Sequence, residues 1–222
     1  MMLLALSSSG PFPSVALCEN GTILDYRQGE SGHTHSETLM PLLDLLLQEN
    51  GLSSDKIDIF AADVGPGSFT GVRIGVCAAN AMAFVHRKKL IGVSALEALC
   101  YGISGRVCAM LDARNASAYM AVYENGRCVH PPEAATVESF LSRLEGCSTF
   151  VGDGAEAYSA LIEQYSSAGN IISASLRADN VAMIAYQAHL NGATSDEIMP
   201  LYLRPSQAER LFEEKNGGNT VS

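Results

Sequence analysis

The stretch Gly65-Pro66-Gly67-Ser68-Phe69-Thr70-Gly71-Val72-Arg73-Ile74-Gly75 follows an apolar run at 57–64 and opens an apolar segment that continues to about Val85. This order predicts a buried strand, a glycine-rich turn and a helix. Ser68 and Thr70 are both placed to cap the first N–H groups of that helix. The stretch therefore predicts a strand–turn–helix unit near the middle of the first half of the chain.

The glycine-rich turn has two interpretations. A helix N-terminus carries partial positive charge, and glycines allow backbone amides to approach an anion closely. Gly65, Gly67, Ser68 and Thr70 are therefore candidate nucleotide-binding residues. Alternatively, the glycines only permit the turn and the close packing of the helix. The stretch matches neither G-x-x-x-x-G-K-[ST] nor G-x-G-x-x-G, so both interpretations stay open.

Composition limits the class of protein. Of the 222 residues, 47% are hydrophobic and 17% charged, which is typical of a folded globular chain. The 24 acidic and 14 basic residues give a net charge of −10, so we expect the chain to repel a nucleic-acid backbone on its own. Uncharged stretches are interrupted before they reach membrane-spanning length, and the six cysteines include no C-x-x-C pair. We expect a reduced, cytoplasmic protein without membrane association.

A strand followed by a hairpin occurs twice. Leu3–Leu6 precedes an apolar run that ends in Glu19-Asn20-Gly21, and Val107–Leu111 precedes one that ends in Glu124-Asn125-Gly126. The two copies are offset by 105 positions throughout, and Asn-Gly favours a hairpin turn. Unless the repeat is a coincidence of generic hairpins, it predicts an N-terminal lobe at 1–104, a C-terminal lobe at 105–205 and a tail at 206–222.

Two segments of the first half predict helices that are apolar on more than one side. One covers about Ser36–Asn50, and the other, about Ser68–His86, carries only Arg73 as a charge before its last turn. One side of such a helix covers a sheet, and the other contacts a second chain or lies between the two lobes. The first alternative predicts a partner interface formed by these residues: Leu39, Leu43, Leu46, Gly71, Val72, Gly75, Val76, Ala79 and Ala83.

Two histidines and a carboxylate lie close together at the start of the first of these helices. His33, His35 and Glu37 suggest a metal site, but the position four after His35 is Leu39 and supplies no further ligand. Thr34 and Glu37 instead have the spacing of a capping box. We therefore predict a helix start and no metal site.

Two aspartates are candidates for lining a nucleotide crevice. Asp112 ends the second copy of the repeated strand, and Asp153 lies in a Gly-Asp-Gly turn after a later strand. The counterpart of Asp112 in the first copy is Ser7, and a hydroxyl cannot supply the anionic charge that Mg²⁺ requires. A Gly-Asp-Gly turn also forms without any ligand. The chain therefore shows no convincing catalytic set.

The chain resembles the TsaB (YeaZ) family of tRNA threonylcarbamoyladenosine biosynthesis proteins. The resemblance rests on the stretch at 65–75, on His35 placed six before Pro41, on Ile91-Gly92-Val93-Ser94, on Leu111-Asp112-Ala113-Arg114 and on Pro200-x-Tyr202-Leu203-Arg204. It extends over the chain to about Arg204. It implies an α/β, actin-like ATPase (ASKHA, RNase H-like) fold with two lobes of mixed sheet flanked by helices.

The resemblance also implies a function. Such a protein is the non-catalytic partner and activator of its paralogue TsaD, which transfers threonylcarbamoyl to adenosine in tRNAs that read ANN codons. It pairs with TsaD through its two N-terminal helices, and TsaE joins the assembly. From the apolar helices we expect the chain alone to form a homodimer, and from its acidic charge we expect tRNA to be contacted only through the complex. No cofactor is expected to bind tightly to the chain itself, and ATP or ADP would lie at the partner interface.

Two other hypotheses remain. An actin-like ATPase or small-molecule kinase would use Asp112, Asp153 and the turn at 65–70. A peptidase, suggested by similarity of the family to M22 glycoproteases, would depend on His35. The family often has Ile-Asp-Thr where this chain has Leu6-Ser7-Ser8, which argues against independent ATP hydrolysis.

Overall fold

The computed structural model describes residues 1–30, 34–166 and 169–204. His33 and the predicted tail at 206–222 lie outside the described residues. The elements of the first half are β1 (Met2–Ser7), β2 (Ser14–Glu19), β3 (Thr22–Gln28), α1 (His35–Glu49), β4 (Ile59–Asp63), α2 (Phe69–His86), β5 (Lys89–Val93) and α3 (Ala95–Cys100). Those of the second half are β6 (Arg106–Asp112), β7 (Ser117–Glu124), β8 (Arg127–Thr136), α4 (Val137–Leu141), β9 (Thr149–Val151), α5 (Asp153–Ala157), α6 (Ser159–Tyr165), β10 (Asn170–Ile172) and α7 (Ala178–Leu190).

The strands form two sheets with the same topology. The first has the order β3-β2-β1-β4-β5 and the second β10-β9-β6-β7-β8. In each sheet a hairpin unit of three antiparallel strands is extended by two parallel strands. Asn20-Gly21 and Asn125-Gly126 both have positive φ, at 49° and 84° and at 49° and 81°, as a type I′ hairpin requires. The predicted repeat is thereby confirmed.

The sheets and helices alternate in five layers. Helices α3 and α7 lie between the two sheets and share one core cluster with both. Helices α1 and α2 cover the outer face of the first sheet, and α4, α5 and α6 cover the outer face of the second. The two lobes of mixed sheet flanked by helices are therefore confirmed.

Helix α7 belongs to the second half of the chain but packs on the first sheet. It contacts β1, β2, β3, β4 and β5. After α7 the chain continues along the same lobe, where Leu90 and Ser195 exchange backbone hydrogen bonds of 2.9 Å. The closing segment of the second half therefore packs against the first lobe. The lobe limits at 104 and 205 stay a prediction.

The residues predicted to contact a partner lie inside the chain. The members on α1 (Leu39, Leu43 and Leu46) and those on α2 (Gly71, Val72, Gly75, Val76, Ala79 and Ala83) are all buried. They form one cluster with Phe60 and the other outward-facing residues of the first sheet. The apolar pattern therefore identified the residues of α1 and α2 that face the first sheet. A sheet face of this size requires an apolar cover. The helices are also not sandwiched between the lobes, since their opposite sides are exposed.

By length and composition, α2 resembles a membrane-spanning helix. One of its faces is instead part of the core cluster on the first sheet. Length and composition alone are weak evidence for a membrane span, since the core helix of a globular protein and a signal sequence pass the same test.

The small side chains of α2 have an internal explanation. A Cβ added at Gly71 would lie 2.0 Å from the carbonyl oxygen of Ser8, and one at Gly75 would lie 2.4 Å from the Ser8 Oγ. The Ser8 hydroxyl donates a hydrogen bond of 2.8 Å to the carbonyl of Gly71. The glycines therefore let the first turns of α2 pack directly on the loop that follows β1.

A buried carboxylate at the end of the neighbouring strand β4 holds that loop by hydrogen bonds. Asp63, at the end of β4, is fully buried. It accepts hydrogen bonds from the hydroxyls of Ser7, at 2.6 Å, and of Ser9, at 2.8 Å. The amides of Ser8 and Ser9 donate longer bonds of 3.4 Å. Burial nevertheless raises the pKa of Asp63, while these hydrogen bonds oppose the shift.

We expect Gly71→Ala to destabilise the protein by about 1–3 kcal/mol through overpacking, although alanine is the better helix former. The clash is with backbone, which a rotamer change cannot relieve. Urea unfolding measures the difference. Thr70→Ala, on the exposed side of the same turn, is the matched control and should change the free energy of unfolding by less than about 0.5 kcal/mol. Equal stability of the Gly71→Ala variant and wild type would contradict this explanation of the glycine.

Asp63→Asn should alter the pH dependence of stability. The folded pKa of Asp63 lies above the ordinary value, so between these two values the folded state holds a proton that the unfolded state has lost. The free energy of unfolding therefore falls as the pH rises through this window. Urea unfolding of both proteins over a pH series should show this part of the slope only in wild type. Identical slopes would show that Asp63 does not titrate as its burial implies.

Candidate functional site

A cleft of about 470 Å³ opens between the two lobes. Its walls come from the ends of β1 and β6, from the start of α2 and from the closing segment of the chain. The residues that line it include Ser9, Gly10, His35, Gly67, Ser68, Phe69, Asp112, Arg114, Tyr119, Asp153, Tyr202 and Arg204.

The cleft brings together four of the six predicted nucleotide-binding residues. Gly67, Ser68, Asp112 and Asp153 line it, although they come from different lobes. The other two, Gly65 and Thr70, are not part of its wall. Gly65 has φ of +91°, and a Cβ there would meet Val72 at 3.1 Å and the Leu201 carbonyl at 3.3 Å. Thr70 lies on the exposed side of the first turn of α2.

The glycine-rich turn packs tightly against the loop after β1. The amide of Ser68 donates to the carbonyl of Ser9 at 2.8 Å, and the amide of Gly71 donates to the Ser68 hydroxyl at 3.2 Å. A Cβ at Gly67 would lie 2.5 Å from the Ser9 carbonyl oxygen. Two of the amides at the helix start are thus already used within the chain, which favours the structural interpretation of the turn.

The two aspartates of the second lobe are direct neighbours. The Asp153 carboxylate accepts a hydrogen bond of 3.1 Å from the amide of Asp112. The Asp112 carboxylate accepts from the Arg114 amide at 2.8 Å and from the Tyr158 hydroxyl at 3.0 Å. Partial burial, and to a lesser degree the charge of Asp112, raise the pKa of Asp153. In the described ranges no group of three or more His, Cys, Asp or Glu side chains is arranged to hold a metal ion.

The first lobe contains a carboxylate that the sequence reasoning missed. Asp63 ends β4 and Asp153 follows β9, and these two strands are the parallel neighbours of β1 and β6. The Asp63 carboxylate accepts an amide N–H from Ser8, just after β1, and the Asp153 carboxylate accepts one from Asp112, the last residue of β6. Only Asp153 faces the cleft, since Asp63 is fully buried. The signal in the sequence was an acidic residue at the end of an otherwise apolar strand. Comparing Ser7 with Asp112 by the offset of 105 positions did not reveal it.

His35 lies at the rim of the cleft as part of the helix start. Its Nε2 is 2.8 Å from the carbonyl oxygen of Gly10. The Glu37 carboxylate accepts from the Thr34 amide at 3.3 Å and from the Thr34 hydroxyl at 2.6 Å, which forms the predicted capping box. The helix-start interpretation is confirmed, and Leu39 is part of the buried core.

The closing segment joins the cleft to α2. The Arg73 guanidinium donates to the Tyr202 hydroxyl at 2.8 Å and lies 4.0 Å from the ring centre of Phe69. The rings of Phe69 and Tyr202 stack at 4.8 Å. The amide of Leu201 donates to the carbonyl of Val64 at 2.7 Å. Two sequence motifs that are more than a hundred positions apart therefore form one wall.

A second surface lies on the outer side of α1 and α2. We call it the outward helix face and define it by residues Met40, Leu45, Cys77, Ala81, Phe84 and Val85, all of them exposed. The Phe84 side chain is 86% exposed and Val85 is 71% exposed. Because these exposed apolar residues belong to two helices that contact each other, the outward helix face is a candidate interaction surface.

Comparison with known proteins identifies relatives over nearly the whole chain. The family model of TsaD, tRNA N6-adenosine threonylcarbamoyltransferase, matches residues 29–201. The tRNA threonylcarbamoyladenosine biosynthesis protein TsaB of Escherichia coli strain K12 is 31% identical over 97% of this chain and 100% of its own length.

Solved structures agree. YeaZ from Pseudomonas aeruginosa, 26% identical, superimposes with a TM-score of 0.79 over 91% of this chain and 99% of its own. The (R)-2-hydroxyglutaryl-CoA dehydratase component A of Acidaminococcus fermentans, only 9% identical, superimposes with a TM-score of 0.51 over 86% and 99% of the two chains, and shows the fold alone. The expected actin-like ATPase (ASKHA) fold is confirmed. The chain therefore belongs to the TsaB (YeaZ) family, whose members are named for the biosynthesis of threonylcarbamoyladenosine in tRNA.

Proposed function

We propose that the chain is the non-catalytic partner and activator of a TsaD-type threonylcarbamoyltransferase, and that it binds this enzyme through the outward helix face. The observation that carries the proposal is the exposure of Phe84 and Val85 beside Ala81 and Cys77 on α2. The substrate of the joint reaction would be adenosine in tRNAs that read ANN codons.

The outward helix face suits a helical partner. Alanine and cysteine at the middle of α2 allow close approach of another helix, and Phe84 provides a large side chain for a pocket on the partner. Met40 and Leu45 extend the apolar surface onto α1. Removing this surface from water contributes about 25 cal/mol per Å². A second copy of the chain would cover the same surface in a symmetric homodimer when the enzyme is absent.

The environment of the carboxylates Asp63 and Asp112 supports a non-catalytic role for this chain. Asp63 is buried, and the Asp112 carboxylate is engaged by a backbone amide and a tyrosine hydroxyl. We therefore assign transfer of the threonylcarbamoyl group to TsaD, and any ATP or ADP to the interface between the subunits, with TsaE joining the assembly.

Because the chain carries a net charge of −10, tRNA would bind through the complex and not to this subunit alone. The six cysteines are all free, which supports a reducing, cytoplasmic location.

The interface test replaces Phe84 with lysine. A cation near the end of α2 is compatible with the helix dipole, so Phe84→Lys should fold normally and bind purified TsaD at least about tenfold more weakly, since a central aromatic contact contributes about 2 kcal/mol or more. Calorimetric titration measures the binding, and the yield of modified adenosine in the reconstituted reaction measures activation.

Leu190→Lys is the matched control, because Leu190 is also an exposed apolar residue at the end of a helix. It should bind and activate as wild type does. Normal activation by Phe84→Lys would overturn the proposed interface. Charged substitutions at Gly75 or Ala79 would test folding instead, because both residues are buried against the first sheet.

The alternative of an independent ATPase or small-molecule kinase is favoured by one observation, the adjacency of Asp112 and Asp153 in the cleft. Calorimetric titration of the isolated chain with ATP and Mg²⁺ separates the two functions. We expect no tight binding and no turnover. Tight binding with turnover that Asp112→Ala abolishes would instead establish the ATPase.

A further inference from the structure

A second cavity, of about 600 Å³, lies at the other end of β6 from the cleft. Its wall is formed by α3, by the residues that connect α3 to β6, by the hairpin turn between β7 and β8, and by the last turns of α7. It shares no lining residue with the interlobe cleft. It is also separate from the outward helix face, so any role that it has is additional to the proposed function.

The cavity contains a carboxylate without a partner. Glu97 is half-buried in its wall and, within the part of the chain that the structure describes, takes part in no hydrogen bond or ion pair. Burial raises the pKa of Glu97, with no neighbouring cation to oppose the shift. A charged group taken from water into such a site is costly unless an opposite charge compensates it.

The spacing of Ser94 and Glu97 predicts that Glu97 helps to cap α3, but the structure does not show this interaction. Ser94-x-x-Glu97 has the spacing of a capping box, as Thr34-x-x-Glu37 does at the start of α1. At α1 both capping interactions form, whereas at α3 the Ser94 side chain makes no capping hydrogen bond. The Glu97 side chain lines the cavity instead. Helix capping therefore does not account for this carboxylate.

The rest of the wall is neutral. Ile103, Ile184 and Ala188 are apolar, and burial raises the pKa of Cys100 to about 12, so that its thiol stays uncharged. Two aromatic residues, Tyr101 and Tyr123, also line the cavity. Among the described residues that line the cavity, Glu97 is the one that can carry a charge near neutral pH.

The amide side chains of α7 add polar groups. Gln187 lies in the last turn of α7 and Asn191 is the C-cap residue of that helix, and both line the cavity. Their carbonyl oxygens are acceptors for N–H donors. The cavity thus combines one carboxylate, aromatic and aliphatic walls, and neutral acceptors.

We propose that this cavity binds a small aliphatic amine cation, with the Glu97 carboxylate as its counter-ion. The alkyl chain would pack on the apolar wall, and the tyrosine rings would attract the ammonium group through their negative faces. A second amino group would reach the acceptors of Gln187 and Asn191. The overall negative charge of the protein favours the approach of such a cation.

Calorimetric titration of the full-length chain with 1,4-diaminobutane at about 0.15 M salt, where exposed charges are screened, tests the proposal. 1,4-Butanediol is the matched probe, because it has the same carbon chain and no charge. We expect saturable binding of one diamine per chain and at least about tenfold weaker binding of the diol. Amide NMR shifts should concentrate at Gly102 and Gly126, which lie in the wall.

Glu97→Gln should weaken diamine binding at least about tenfold, while Glu138→Gln, an exposed glutamate at the start of α4, should bind as wild type does. Absence of saturable binding, equal affinity for the diol, or unchanged binding by Glu97→Gln would overturn the proposal. Should Glu97→Gln fail to fold, the NMR shifts of wild type still decide, since shifts located elsewhere on the chain would exclude this cavity.

Discussion

Helix α2 begins in direct contact with the loop that follows β1, and this contact positions most of the first lobe. The approach is so close that a Cβ at Gly67 or Gly71 would overlap backbone atoms of Ser8 or Ser9. Packing at backbone distance fixes the helix more strictly than side-chain contacts do, because the backbone cannot change rotamer. Asp63 secures the same loop from the sheet side.

The position of α2 has consequences on both sides of the helix and at its start. On the inner side, the buried stripe of α2 covers the first sheet together with α1. On the outer side, the same rotation of the helix leaves Phe84 and Val85 in solvent. At the start of the helix, Arg73 holds Tyr202 and so brings the closing segment of the chain to the cleft. The proposed interface and one wall of the cleft thus depend on a single close contact.

The two lobes share a topology and differ in chemistry. Each has an aspartate at or just after the end of the parallel strand beside its hairpin unit, β4 or β9, but Asp63 is enclosed by serines whereas Asp153 faces the cleft beside Asp112. Their outer layers differ as well. Helices α1 and α2 have 15 and 18 residues, whereas α4, α5 and α6 have 5, 5 and 7. Long helices offer a second usable face, which explains why the proposed interface lies on the first lobe.

Much of this could be predicted from the sequence. The offset of 105 positions between the two Asn-Gly hairpins predicted the repeated sheets, because a turn with positive φ at both central residues has a strong local signature. The strand–turn–helix unit and the capping box at Thr34 were predicted for the same reason, since turns and caps depend on residues close together in the chain. What the sequence left open was which side of each apolar helix faces the sheet, and there the predicted interface residues proved to be core residues.

The sequence by itself determined the two hairpin units and their repeat, the strand–turn–helix unit, the capping box and the family, all of which depend on local patterns or on long ordered motifs. Only the tertiary structure decided that Gly71 and Gly75 accommodate Ser8, that Asp63 supports the same loop, and that Glu97 faces a cavity. The physical reason is that these relations join atoms from separate strands and helices. Whether a small or charged residue serves packing or recognition depends on what the rest of the fold places against it.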